Sequence, residues 1–359
     1  MKKYLFLFIA VLVLGTVLSA CGSSNGDDGS KSSGGDKKKG FKVAMVTDTG
    51  GVNDKSFNQS AWEGLQKFGK DNGLKLNTDY KYLQSNQASD YEPNLNTLVH
   101  NNGGYNLIFG IGYLMEDAVK KVAAANPNTH FAIVDDVVNA KNVTSITFKE
   151  EQGSFLVGVV AGMMTKTNKI GFVGGEKSAL IKKFENGFKA GVKSVNPKAD
   201  VLVQYAGSFS AADKGQAIAN SQYGQGADII YHAAGATGNG VFNEAQNRKK
   251  KGDNVWVIGV DRDQYDAGMP EDVTLTSMVK RVDNAVEQLS KDAMNGNYHG
   301  GENLQYGLKD NGVGLSEHHD HIPDNVMKKV DDYKKKIING DIKPPQTDAE
   351  YKDFLASLK

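Results

Sequence analysis

The chain of 359 residues has one cysteine, Cys21. No disulfide can form within the chain, so stability must come from core burial, for which two domains of ordinary size are available. Positive charge is not in excess, with 42 Lys and Arg against 42 Asp and Glu. A nucleic-acid-binding role, which selects for a basic face, is therefore not indicated. There is no paired histidine and nucleophile, the usual signature of covalent catalysis. The apolar run from Tyr4 to Val17 is short of the roughly 20 residues that span a bilayer.

That run, preceded by Lys2 and Lys3 and followed by Leu18-Ser19-Ala20-Cys21, has the layout of a signal peptide with a small-residue cleavage site. It resembles the lipobox of bacterial lipoproteins, in which the cysteine is acylated and becomes the new N-terminus. An ordinary signal peptide or a membrane anchor are the alternatives. Lipidation of Cys21 implies a protein tethered to the extracytoplasmic face of a bacterial cell membrane, with no thiol left for catalysis. Residues 1–20 hold two lysines and no acids, so their removal leaves 40 basic and 42 acidic residues, a net charge of −2. Residues 21–40 follow as a tether. Beyond Cys21 they contain no apolar residue larger than glycine and span roughly 25 Å as a Gly/Ser coil.

From Phe41 onward, short apolar runs alternate with amphipathic ones. The patterning predicts strands at 41–47, 107–111, 130–134, 143–148, 169–173, 201–205, 228–232, 255–260 and 274–279. It predicts helices at 56–72, 114–126, 152–165, 179–195, 212–223, 240–250 and 282–295. Ser56 and Gln59 have the spacing of a capping box. The helix at 152–165 is apolar nearly all round, which reads as burial, with Gly153, Gly158 and Gly162 allowing close approach. Repeated βα units predict an α/β protein with parallel sheets covered on both faces. They are too many for one open sheet, so two doubly wound lobes with a cleft between them are expected. No convincing short internal repeat is visible.

Ligands of such sheets sit beyond the carboxyl ends of the strands. Asp48 to Gln59 follow the first strand, and Gly110-Ile111-Gly112-Tyr113 the strand at 107–111. In the second half Gly207-Ser208-Phe209, Gly235 to Gly240, Asp261 to Gln264 and Lys280 follow their strands. Small residues bring backbone close to a ligand, carboxylates accept from hydroxyls, and aromatic rings stack.

The lipobox, the Asp-Lys-Ser-Phe-Asn-Gln-x-x-x-x-Gly run (Asp54 to Gly64), Ala-Gly-x-Thr-Gly-x-Gly (Ala234 to Gly240), Gly-Val-Asp-x-Asp-Gln (Gly259 to Gln264) and Thr-Ser-x-x-Lys (Thr276 to Lys280) together resemble the basic membrane lipoprotein family. Several members of that family are purine-nucleoside receptors of ABC importers. The resemblance covers about 41–320. It implies a type I periplasmic-binding-protein fold, whose chain crosses between lobes three times and whose lobes close on the ligand. With it go lobe 1 at 41–147 and 277–302, and lobe 2 at 148–276 and 303–359. The resemblance assigns base stacking to Phe57 and Phe209, polar base contacts to Asp48 and Asn58, and ribose contacts to Asp261, Lys280 and the backbone from Gly235 to Gly238. The family often has glycine where this chain has Ala236. The implied partners are a nucleoside and a membrane permease, with no nucleic acid, cofactor or metal, for a monomeric protein that is not an enzyme.

Other patterns carry less. Glu317-His318-His319-Asp320-His321 has metal-ligand density, but neighbours on one loop rarely converge on an ion. Gly171 to Ser178 approaches a P-loop, with Glu176 where glycine is required before the lysine. Each site residue also has a plain structural role open to it: Phe57 as helix core, Phe209 as a loop plug, Asp261 as a turn cap, Lys280 as a solvated charge. Tyr113 reads as structural at least as readily as ligand-binding. A sugar or other small-metabolite receptor and a sensory lipoprotein are the rival functions. A nucleoside hydrolase is the enzymatic one.

Overall fold

Alternating apolar strands and amphipathic helices give two sheets in the computed structural model, which describes residues 40–358. The leader, Cys21 and the tether up to residue 39 lie outside the described residues. The first run of elements is β1 (Val43–Val46), α1 (Phe57–Asp71), β2 (Tyr80–Leu83), α2 (Tyr91–His100), β3 (Leu107–Ile111), α3 (Glu116–Ala125), β4 (His130–Val134) and β5 (Val143–Phe148). Then come α4 (Glu150–Met164), β6 (Lys169–Gly174), α5 (Ala179–Val195), β7 (Asp200–Tyr205), α6 (Ala212–Gly224), β8 (Ile229–Ala233), α7 (Gly238–Lys249), β9 (Trp256–Asp261) and β10 (Thr274–Lys280). The chain ends with α8 (Val282–Met294), β11 (Asn303–Tyr306), β12 (Val313–Leu315), α9 (Asp324–Asn339) and α10 (Asp348–Ser357).

The strands pair as β11-β5-β4-β3-β1-β2 in one sheet and β12-β10-β9-β8-β6-β7 in the other. All pairings are parallel except β10 with β12. The two sheets thus share one strand order, a repeat of topology that no short sequence repeat announces. The strand pairing moves two lobe boundaries. Ser277–Lys280 belong to β10 in the second sheet, so the return to the first lobe falls after Lys280 and not at 277. Asn303–Tyr306 pair with β5 in the first sheet, so the last crossing follows Tyr306 and not 302. Three crossings remain, after β5, β10 and β11.

The all-round apolar α4 is buried as its pattern predicts and packs along α5. Glycine sets the distance between these helices. A Cβ on Gly158 would lie 2.2 Å from the Phe188 carbonyl oxygen, and one on Gly191 2.0 Å from that of Phe155. Among the described residues no helix is long and apolar enough to cross a membrane.

Candidate functional site

The carboxyl ends of β1, β3 and β4 face those of β6, β8, β9 and β10 across a cleft of about 490 Å3 that includes open solvent at its mouth. Asp48, Phe57, Asn58, Phe209, Gly235, Asp261 and Lys280 all line it. These residues come from both lobes, so the cleft brings together seven of the eight ligand positions expected from the sequence. Gly238 does not line it: a Cβ there would lie 2.1 Å from the ring of buried His232. Its lack of a side chain serves the packing of α7 against β8. Ala236 is likewise not among the lining residues, whereas Ala233 and Ala234 are.

The start of α1 is built differently from a capping box. Ser56 makes no cap bond to its own helix. Asp54 does the capping, its Oδ1 accepting from the Ser56 and Gln59 N–H groups and its Oδ2 from the Asn58 N–H. This fixes Asn58, whose Nδ2 donates to Asp48 Oδ1 at 2.7 Å, while the Gly50 N–H donates to the same oxygen at 2.8 Å. Burial pushes the Asp48 carboxyl up to about 7 against the pull of these two donors. Asp48 therefore exchanges a proton near neutrality and offers the cleft an acceptor or a donor according to pH. Its folded pKa stands above its ordinary value, so its stabilising contribution is complete below pH 3.8 and fades as pH rises through about 7. Asp48→Asn is expected to flatten part of the fall in melting temperature between pH 5.5 and 8. An unchanged slope would refute the assignment.

Lys280, at the end of β10, is almost wholly buried. Its Nζ donates to Asp135 Oδ2 at 2.7 Å and lies 3.5 Å from Asp261 Oδ1. Three phenyl rings surround it, with centroids 4.6 Å (Phe57), 5.3 Å (Phe184) and 5.6 Å (Phe148) from Nζ. Burial alone disfavours its charge, but the carboxyl groups of Asp135, Asp261 and Glu150 outweigh it and hold the ammonium above its ordinary range. Burial raises the Asp135 carboxyl, and Lys280 opposes that rise. Asp135 and Asp261 occupy matching places in the two sheets, at the ends of β4 and β9, and both take left-handed φ, 71° and 64°. Buried Oδ1 of each has no hydrogen-bond partner. Two unfilled acceptors thus face a cleft with a cation between them, an arrangement suited to a ligand with vicinal hydroxyl donors.

Aromatic groups form the remaining walls. Phe57 is both core and lining residue, so its structural and site roles coincide. Half-buried Phe209 meets Tyr113 of the other lobe edge-on, with centroids 6.2 Å apart. Asp135, Tyr113 and Phe184 are lining residues that the sequence reading left unassigned. Asp135 follows a predicted strand directly, so the strand-end rule would have found it. The histidines at 318–321 turn apart: His318 Nδ1 meets Asp263 at 2.5 Å and His321 Nε2 meets Asp272 at 2.8 Å. Among the described residues no group of three or more His, Cys, Asp and Glu is placed to hold a metal.

Residues 41–348 match the family described as ABC transporter substrate-binding protein, PnrA-like. The chain is 56% identical over 360 residues to the CD4+ T-cell-stimulating antigen of Listeria innocua, covering 96% of this chain and 99% of that protein. The chain belongs to the PnrA-like family of ABC transporter substrate-binding proteins. A second relative, the ABC transporter nucleoside-binding protein BmpA of Lactococcus lactis, is 45% identical over 359 residues, with 96% of this chain and 99% of that protein covered. An ABC transporter solute-binding protein from Aeropyrum pernix has the same architecture, with a TM-score of 0.77, 26% identity and coverage of 89% and 97%. The architecture is the type I periplasmic-binding-protein fold. PnrA-like proteins are substrate-binding components of transporters, not enzymes, and they work outside the cytoplasm.

Proposed function

We propose that this protein is a lipid-anchored nucleoside receptor, monomeric and free of cofactors. It captures a nucleoside, most naturally a purine nucleoside, between its lobes and presents it to an ABC permease. The observation that carries this reading is the pairing of aromatic walls with two unfilled carboxylate acceptors flanking Lys280. Phe57 and Phe209 suit a planar base, with Asp48 and Asn58 at its polar edge. Asp261, Asp135 and Lys280 suit the hydroxyls of a ribose, dividing them between acceptors and a donor. The relative named as nucleoside-binding, 45% identical, supports the same ligand class. Cys21 supplies the anchor through the thioether and acyl chains of a lipoprotein.

Calorimetry on the purified protein tests the ligand. Inosine, adenosine and guanosine are expected to bind, and free ribose far more weakly. Tight ribose binding with no nucleoside heat would replace the reading with a sugar receptor. A clickable fatty acid tests the anchor in cells: Cys21→Ala should lose the label, and full labelling of the variant would exclude lipidation at this position.

A further inference from the structure

The two motifs that supply opposite walls of the cleft also touch each other directly. Gln264, which does not line the cleft, is 2% exposed. Its Oε1 accepts from the Val260 N–H at 2.8 Å and lies 3.0 Å from His232 Nε2. Burial drives His232 down to about 4, so the ring is neutral near pH 7 and its Nε2 carries the proton that Gln264 receives. The Gln264 N–H is fixed in turn on Ser277 Oγ at 3.0 Å. With its oxygen saturated, the side chain can aim only its NH2 group outward. That group donates to the Lys55 carbonyl of the other lobe at 2.9 Å. Lys55 has a left-handed φ of 59°.

Two further contacts flank this one. Ser56 Oγ, free of any capping duty, donates to Asp261 Oδ2 at 2.6 Å. Arg262 grips Glu63 of α1 with two parallel bonds, Nε to Oε2 at 2.8 Å and Nη2 to Oε1 at 2.6 Å. Each bond joins an element of the first lobe to one of the second, so each exists only while the lobes meet.

We propose that Gln264, Ser56 and the Glu63–Arg262 pair form a clasp that sets how long the closed lobes hold a ligand. They are positioning residues for capture, and the proposal rests on the lobe-closure reading above. Asp261 is the link to the ligand: one oxygen is held by Ser56 across the cleft, and the other is left for the bound molecule. Opening must break all three contacts before the ligand leaves. Association uses the open lobes, in which none of them exists. Weakening the clasp therefore raises the dissociation rate and leaves the association rate nearly unchanged.

Stopped-flow kinetics with inosine test this on the mature protein. Glu63→Gln, remote from the ligand, is expected to raise the dissociation rate about threefold to fivefold, the scale of a partly exposed bidentate pair. The exchange Glu63→Arg with Arg262→Glu should restore most of the lost residence time. Ser56→Ala should raise the rate roughly tenfold, the scale of a hydrogen bond to a charged group, and much less when Asp261→Ala is already present. Melting of the ligand-free variants should stay close to wild type, which a purely structural role would not allow. Unchanged dissociation in both Glu63→Gln and Ser56→Ala, or a charge exchange no better than the single variants, would overturn the clasp. If wild type gives no inosine signal, the ligand assignment fails and the clasp is read separately. Dyes placed on an exposed cysteine in each lobe, in a Cys21→Ser background, then report the closed fraction. Glu63→Gln should lower that fraction, and equal fractions would refute the proposal.

Discussion

Lys280→Met should lose nucleoside binding by a factor of about 100 to 1,000 at pH 8 and recover part of it at pH 5.5. Methionine keeps most of the volume in the ring of Phe57, Phe148 and Phe184 but removes the cation that, among the described residues, pairs with both Asp135 and Asp261. Breaking a buried pair by deleting one partner typically costs about 3–5 kcal/mol, because the remaining charge is left uncompensated. Asp135 and Asp261 come from different lobes, so the chain can avoid that cost by keeping the lobes apart and letting water in. The penalty should then appear in closure and ligand affinity more than in melting. The pH dependence has a definite sign. Burial already raises the Asp135 carboxyl, and Lys280 is the chief group opposing the rise. Without Lys280 the carboxyl goes higher still, so it takes up a proton as pH falls and the repulsion across the cleft is relieved. Calorimetry with inosine at the two pH values reads the affinity, and small-angle scattering the closure. Affinity within about threefold of wild type at pH 8, or a loss that does not shrink at pH 5.5, would mean that Lys280 is not the counter-charge of this site.

Lys280 and Asp261 could be found in the sequence because the strand-end rule is topological: once a parallel strand is recognised, the residue after it is near the ligand face. Asp135 obeys the same rule, standing directly after β4. Gly238, by contrast, is not among the residues that line the cleft. Glycine in a loop-like run suits backbone approach to a ligand, yet here it clears space for His232, a contact set by helix–sheet packing and invisible in local sequence. Ser56 shows the same limit. Its spacing to Gln59 fits a capping box, but Asp54 takes the cap and Ser56 reaches a partner 205 residues away. The fold was legible because apolar periodicity reports burial along each element. Periodicity does not say which sheet a strand joins, and so two lobe boundaries moved. β11 was missed outright, being a four-residue edge strand with exposed and half-buried positions in alternation and no apolar run.

A nucleoside and a sugar make different demands on Phe57 and Asp261, and that difference decides the ligand class. Stacking of a base on an aromatic ring is worth about 1–3 kcal/mol in nucleic-acid binders. Phe57→Ala should therefore weaken nucleosides by roughly 10- to 100-fold. Part of any loss comes from elsewhere, because Phe57 also packs in the core and lies under Lys280. Those contributions affect every ligand alike, so stacking is the share that inosine loses and ribose keeps. Asp261 makes the complementary test. Its unfilled Oδ1 is available to a ligand hydroxyl, and Asp261→Ala also releases Ser56 and removes one partner of Lys280. Binding of inosine should weaken, and its preference over the 2′,3′-dideoxy analogue should collapse toward one, because the buried acceptor that distinguished them is gone. Calorimetry with inosine, the dideoxy analogue and ribose on wild type and the two variants separates the contributions. A Phe57→Ala loss equal for inosine and ribose would remove the base from the aromatic wall. An Asp261→Ala variant that still prefers inosine over its dideoxy analogue by the wild-type ratio would move the hydroxyl site away from β9, leaving Asp135 as the acceptor to test.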